Sequence, residues 1–287
     1  RWLWATGPNA ETAPHDLGNG LGQPRPTASN RLTPASPSWF LGRMAKSTRK
    51  KPAPEPEPDL IEPPSRKARA LFWAKRIAMG VAAFYAALIL IFAIVPPPIN
   101  IYQAQEAIRL GGIEKDWVGW DDIAPVMARS VVAAEDANFC LHWGFDMKAI
   151  RAALDEGRGR GASTLTQQVV KNVFLWHGRN WARKAAEAVL TAPVELVWSK
   201  RRILHVYLNT AEFGEGVFGV EAAAQHWFGV SAAELTPTQA ARLAAVLPDP
   251  KSRNPAKPGP LVRRRSAQIL SGAETIAADG RAACFED

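Results

Sequence analysis

From Ile77 to Val95 the chain reads IAMGVAAFYAALILIFAIV, nineteen positions without a charge, closed by Pro96-Pro97-Pro98. At a rise of ~1.5 Å per residue such a helix covers ~28 Å, about the hydrocarbon thickness of a bilayer. A core helix of a soluble protein keeps a polar stripe, and this run has none. It predicts a single transmembrane helix. A cleaved signal peptide fits less well, because the run starts far from residue 1 and no small-residue cleavage site precedes the prolines.

Beyond Ile99 the apolar positions follow helical spacing. Ile123, Val126, Met127, Val131 and Ala134 form one stripe, with Asp121 or Asp122 as the expected cap. Thr164-Leu165-Thr166-Gln167 reads as a capping box opening a helix through Phe174. Asn180 starts another towards Trp198, with Pro193 as a kink. Ile203–Leu208 and Val217–Phe228 continue the series, and Thr236-Pro237-Thr238-Gln239 supplies cap, proline and glutamine for the next. No strand alternation stands out, so the expected class is mainly α. The divisions are a tail over 1–70, the anchor over 71–98, a helical domain over 99–270 and a C-terminal tail over 271–287.

Composition changes the picture at the N-terminus. Of 23 prolines, 12 lie in residues 1–70, and KKPAPEPEPDLIEPP alternates proline with charge. That stretch buries too little apolar surface to fold and is expected to be disordered. The chain opens on Arg1, and Met44, followed by AKSTRKK, is a plausible translation start.

Charge removes one function class. The net +8 and a pI near 9.7 invite a nucleic-acid reading. Residues 1–76 hold 13 basic and 6 acidic side chains, whereas 99–287 hold 22 and 21. Arg66, Lys67, Arg69, Lys75 and Arg76 precede the apolar run closely, and only Arg109 and Lys115 follow it. The tail's charge therefore reads as positive-inside topology: cytoplasmic N-terminus, single pass, everything after Pro98 outside. Within the outer domain, residues 148–202 carry 11 basic and 4 acidic groups, a second basic stretch. Two cysteines, Cys140 and Cys284, are too few for a disulfide scaffold or a zinc site; bridge and free thiols both stay open.

Four segments hold more polar chemistry than a helical domain needs. Glu135 ends an apolar helix, where partial burial would raise it towards a general-base range; solvent exposure of Glu135 and Asp136 is the plainer alternative. Gln167 and Gln168 precede Lys171 by four and three residues, so amides and an ammonium share a face near a helix N-terminus, suited to sugar or phosphate. Arg183 and Glu187 are spaced i,i+4, which is also the spacing of an ordinary surface pair. Lys200-Arg201-Arg202 suits lipid headgroups or solvent. His142 alone reads as structural.

The order of these segments is more specific than any one of them. EDANFCLHWG, GASTLTQQVVKN, RKAAE and KRRILHVYLN, followed by AEFGEGVFGVEAAAQHWFG and AARLAAVLPDP, resemble the glycosyltransferase family 51 domain of peptidoglycan polymerases, most closely its monofunctional members. The likeness covers roughly Ile99 to Pro260 plus the anchor, and departs at His205, where that family usually has Glu. It implies a lysozyme-like helical glycosyltransferase domain behind the N-terminal transmembrane helix. The implied reaction polymerises lipid II: the acceptor 4-hydroxyl attacks the anomeric carbon of the growing strand, and polyprenyl diphosphate leaves with inversion. Glu135 matches the catalytic base. Lys171, Arg179 and Arg183, with Lys184 beside them, match diphosphate-binding positions, and Ser163, Gln167 and Gln168 match contacts to saccharide or diphosphate. Glu187 matches a second essential Glu, which orients the basic residues or holds a divalent cation, Mg2+ or Mn2+; no cofactor motif demands one. The implied partners are lipid II, the glycan strand and membrane lipid, not nucleic acid, and the implied place is the cell inner membrane with the catalytic domain periplasmic. Proteins of cell-wall synthesis or division that accompany such an enzyme leave no motif in the chain.

Two other readings share the fold class. A lysozyme-like lytic enzyme also uses one Glu but has no diphosphate to neutralise with Lys171, Arg179 and Arg183. A non-catalytic membrane adaptor would tolerate loss of Glu135. Phe174, Leu175, Trp176 and Trp181 suit either the membrane interface or the core. Ser47-Thr48-Arg49-Lys50 matches the Ser-x-x-Lys of transpeptidases by chance, and the residues after Pro260 are too few for a cross-linking domain.

Overall fold

The computed structural model describes residues 64–155, 163–178 and 180–286. The expectations for Met44, the proline-rich tail, Ser47–Lys50 and Arg179 lie outside them.

Helix α1 spans Arg66–Phe92, capped by Ser65, whose hydroxyl accepts from the Ala68 amide at 3.2 Å. It starts eleven residues before the uncharged run, so the division at residue 70 falls inside it. Basic side chains limit what a bilayer accepts but do not break a helix, and Arg, Lys, Ala and Leu favour one. Its end falls before Val95 because the Pro96–Pro98 run disfavours the helical region in the residue preceding it. This is the one helix among the described residues long and apolar enough to cross a membrane. The domain that follows holds on to its last turn. Trp198 Nε1 donates to Ile89 O at 2.7 Å, and the Arg202 guanidinium donates to Phe92 O at 2.7 and 3.0 Å and to Val95 O at 2.7 Å. Carbonyls at a helix end lack intrahelical donors and carry partial negative charge, so a guanidinium there serves both needs.

The domain proper comprises α2 (Ile101–Leu110), α3 (Pro125–Glu135), α4 (Met147–Asp155), α5 (Leu165–Phe174), α6 (Trp181–Val197), α7 (Lys200–Thr210), α8 (Val220–Phe228), α9 (Pro237–Val246), α10 (Pro260–Ala278) and the short α11 (Ala283–Glu286). Helices α3, α9 and α10 pack on one another, and α5 packs between α6 and α7. Met127, Val131, Leu165, Val169, Ile203, Leu204 and Leu243 are all fully buried between them. Thr164 and Gln167 form the expected capping box, and Asn180 caps α6 by accepting the Arg183 amide at 2.6 Å. Helix α6 continues through Pro193.

Four expectations need correction. Helix α3 is capped by neither Asp121 nor Asp122; Ala124 precedes it and Pro125 supplies the preset first turn. A small sheet exists, β1 (Glu114–Lys115), β2 (Glu212–Gly214) and β3 (Val217–Phe218), in the order β1-β3-β2. Glu114 pairs with Val217 in parallel, and Glu212 with Phe218 antiparallel. Strands this short have no alternation to read, and they take Val217 and Phe218 out of the helix expected from Val217. The C-terminal tail over 271–287 is no tail: Val262, Ser266, Ile269, Ala273 and Ile276 extend one buried stripe of α10 past the division at 270. Phe285 of α11 is fully buried, and Cys284 is bonded to Cys140.

Candidate active site

Two glutamates and the helix between them organise the site. Glu135 ends α3, where the apolar stripe stops and the carboxylate emerges with 15% of its side chain exposed. Gln168 Nε2 donates to Glu135 Oε2 at 3.0 Å, and the Gln168 oxygen accepts from Tyr207 Oη at 3.3 Å. On the other side Arg265 Nη2 lies 3.5 Å from Glu135 Oε1. Burial pushes the Glu135 carboxyl up from its ordinary value, while the Gln168 hydrogen bond and the charges of Arg265 and Lys171 pull it back. Burial likewise holds the buried Tyr207 hydroxyl well above its ordinary value, so it stays a donor.

Asp136 does not face solvent. Its Oδ1 lies 2.8 Å from His142 Nε2, and its Oδ2 accepts the Leu165 amide, the first of α5, at 3.0 Å. Thr164 Oγ1 donates to Gly144 O at 2.7 Å. The EDANFCLHWG segment thereby seats the N-terminus of α5 against the end of α3, and His142 is structural.

Helix α5 turns the same edge to both glutamates. Gln168 and Lys171 line a cavity of about 170 Å³ with Asn172 and Tyr207. Burial lowers the Lys171 ammonium, the neighbouring Arg183 and Lys184 charges lower it further, and Glu187 and Glu135 oppose that shift. Lys171 thus stands electrostatically between the two carboxylates. Gln167 behaves differently from its neighbour: it is 5% exposed, and its oxygen accepts the Thr164 amide at 3.1 Å in the capping box. Its amide oxygen serves the helix cap, which removes it from the shared face expected for both glutamines.

Glu187, on α6, is 2% exposed. Arg183 Nη1 meets its Oε2 at 2.7 Å, and Lys184 Nζ pairs with its Oε1 while also donating to Ser163 Oγ at 3.1 Å. The Arg183–Glu187 pair is therefore part of a buried-carboxylate clamp, not an isolated surface contact. Both Glu187 oxygens face cations, and no group of three or more His, Cys, Asp or Glu suited to a metal exists among the described residues. A single carboxylate already paired with two cations does not fit a resident divalent ion.

Among the described candidates, Glu135 and Gln168 meet, Glu187, Arg183, Lys184 and Ser163 form a second cluster, and Lys171 lies in the field of both. Sequence reasoning missed Arg265. It sits in the run Arg263-Arg264-Arg265, and only the α10 stripe, with Ser266 buried and Arg265 beside it, marks it out. His205 Nε2 donates to Val118 O, 2.9 Å away, between the rings of Trp117 and Trp120. Burial lowers its imidazole, and it packs a loop. Lys200 pairs with Glu195 at 2.9 Å, and Arg201 donates to Phe285 O at 3.0 Å, so with Arg202 the basic run fastens elements together. Of the four apolar residues weighed for the interface, Phe174 and Leu175 are core at 6% and 2% exposure, whereas Trp176 and Trp181 are exposed.

A model of the transglycosylase family matches residues 103–274, from α2 to near the end of α10. The biosynthetic peptidoglycan transglycosylase of Jannaschia sp. (strain CCS1) is 62% identical over 213 residues, covering 74% of this chain and 89% of that protein. Those of Yersinia pestis (strain Pestoides F) and Yersinia pseudotuberculosis serotype IB (strain PB1/+) are each 49% identical over 211 residues, covering 69% of this chain and 88% of theirs.

Proposed function

The chain belongs to the transglycosylase family as a peptidoglycan glycosyltransferase, and on that premise we propose that it polymerises lipid II with Glu135 as general base. The observation that carries this assignment is a burial-raised carboxylate held by Gln168 of α5, with Lys171 one turn on that feels both this carboxylate and the Arg183–Lys184–Glu187 cluster.

The acceptor 4-hydroxyl gives its proton to Glu135 as its oxygen attacks the anomeric carbon of the donor strand. The bond from that carbon to the diphosphate breaks on the opposite face, and the electron pair leaves with the diphosphate oxygen, inverting the centre. Lys171, Arg183 and Lys184 take the charge that develops there, and Glu187 keeps the last two aimed. Gln168 orients Glu135 from one side, supported by Tyr207. Arg179 belongs to the same cation set by its position in the sequence. No step passes through a metal held by Glu187.

The same reading places the enzyme in the cell inner membrane, N-terminus cytoplasmic and catalytic domain outside, by the charge asymmetry across α1. Trp181, Val189 and Leu196 leave one side of α6 apolar and exposed at 90%, 72% and 76%, a face suited to the membrane where a lipid-linked substrate resides.

The test is incubation of the detergent-solubilised full chain with lipid II, followed by separation of products. Glycan polymer that disappears in Glu135→Gln is the expected result. Cleavage of preformed peptidoglycan in place of polymer would overturn the reading in favour of a lytic enzyme, and full function of Glu135→Gln would favour an adaptor.

A further inference from the structure

The segment Asp136–His142 follows the base-bearing end of α3 and, through the bond from the Leu165 amide to Asp136 Oδ2, seats the helix that supplies Gln168 and Lys171. Regular structure in it is one 3₁₀ turn, Phe139–Leu141, with Phe139 N bonded to Asp136 O and Leu141 N to Asn138 O. Its own Phe139 is fully buried, and side chains from elsewhere add to that anchor. From inside come the Asp136 contacts to His142 and Leu165 and the Lys200 Nζ bond to His142 O at 2.9 Å. From outside, the C-terminal strap reaches it twice. Cys284 is bonded to Cys140 in the middle of the segment, and Arg281 Nη1 donates to Ala137 O at 3.0 Å. The strap is itself anchored. Phe285 is fully buried, Arg201 donates to Phe285 O at 3.0 Å and Glu286 O at 2.6 Å, and Glu286 pairs at 3.2 Å with Arg129 on α3. The strap itself, Arg281–Glu286, lies beyond residues 103–274 that the family model matches.

We propose that the C-terminal strap Arg281–Glu286 is a positioning clasp on the Glu135 end of α3, locked by the Cys140–Cys284 disulfide, so that turnover depends on the redox state of this pair. The inference rests on Glu135 being the base. Both cysteines are only partly buried, so a small dithiol reaches them. The dithiol supplies two electrons and two protons. The Cys140–Cys284 bond breaks to two thiols, and the reductant closes to its own disulfide; reoxidation reverses the step. Opening the lock leaves Arg281 and the buried Phe285 to hold the strap and loosens the outer side of the segment beside Glu135, while the Asp136 and Lys200 contacts and the buried Phe139 persist. A displacement of 1 Å at a catalytic group costs about 10²-fold in rate, so partial loosening is expected to lower kcat about tenfold. KM for lipid II should change little, because the cations on α5 and α6 are not tied to the strap.

The experiment compares oxidised and dithiol-reduced full-length protein in detergent on lipid II, with circular dichroism at the assay temperature to establish that the reduced protein is folded. The expected result is a folded, reduced enzyme with lower kcat that recovers on reoxidation, and a Cys140→Ala/Cys284→Ala variant that is equally slow and indifferent to reductant. Where the double variant does not fold, Arg281→Met, which keeps the disulfide, provides the second arm and should lower kcat a few-fold. Unchanged kcat in the folded, reduced protein, with only its Tm lowered, overturns the clasp and leaves the bond a staple. Labelling of both thiols before any reductant is added overturns it as well. A protein that makes no polymer in either state overturns the reading of Glu135 instead.

Discussion

Glu135 and Glu187 are two carboxylates of one helical domain, both acting on Lys171 of α5, and their surroundings give them opposite characters. Glu187 is the more deeply buried, yet each of its oxygens has a cation of its own. Glu135 keeps 15% of its side chain open and is held by an amide and by a guanidinium no nearer than 3.5 Å, too weak a set to cancel the cost of burial. Depth of burial alone therefore does not select the base. Incomplete pairing does, because it leaves the rise in proton affinity from burial largely unopposed.

The sharpest way to break this contrast is to remove the charge from each carboxylate in turn. Glu135→Gln should cut lipid II polymerisation by about 10²–10⁴-fold, the usual span for a general base, in a folded protein. The same variant should be the more stable one at neutral pH. The folded-state pKa of Glu135 is raised, so ionisation costs folding energy as pH rises through that value, and below the unfolded pKa both states are protonated and the cost vanishes. Thermal unfolding should show Glu135→Gln melting above the wild type at pH 7–8, with the gap closing towards acid pH. A wild type that melts higher at neutral pH would make Glu135 a paired structural residue like its counterpart.

Glu187→Gln should act in the reverse direction on stability. It leaves Arg183, whose side chain is 12% exposed, without its carboxylate, and Lys184 is 40% exposed and partly rehydrates. A loss of about 1–3 kcal/mol at neutral pH is expected from chemical denaturation. Activity should fall chiefly through KM, because the cations are no longer aimed at the diphosphate. An unchanged KM with lost kcat would move Glu187 into the chemical step.

The contrast between the glutamates was only half legible in the sequence. Local grammar carried well: the Thr164 and Asn180 caps sit where their side chains can serve the next turn, and the spacing of Arg183 and Glu187 survives as an ion pair. The long apolar helix was legible because nineteen uncharged residues in a row favour an uninterrupted helix. What stayed hidden depends on groups distant along the chain. Burial of Glu135 on α3 is decided by α10, 130 residues away, and the Cys140–Cys284 bond closes over 144 residues. Gln167 and Gln168 look equivalent as neighbours, yet a one-residue step around α5 sends one into the cap and the other to the base. The β1–β3 sheet is too short to carry a period at all.

Arg265 offers the finest test of the comparison, since among the described residues it makes the one ion pair with Glu135. It also donates to Ala134 O at 3.3 Å, so it touches both the backbone and the carboxylate at the end of α3. Because its charge lowers the Glu135 pKa against burial, Arg265→Met should let burial act unopposed, and the acid limb of the kcat/KM profile should move to higher pH. Activity well above that limb should fall only a few-fold, since the carboxylate is still present once ionised and Gln168 still orients it. Arg265→Lys keeps the charge and should return the limb most of the way towards its wild-type position. A limb that stays in place in Arg265→Met, while stability drops, would reduce Arg265 to a packing contact between α10 and α3. The proton affinity of Glu135 would then be set by burial and Gln168 alone.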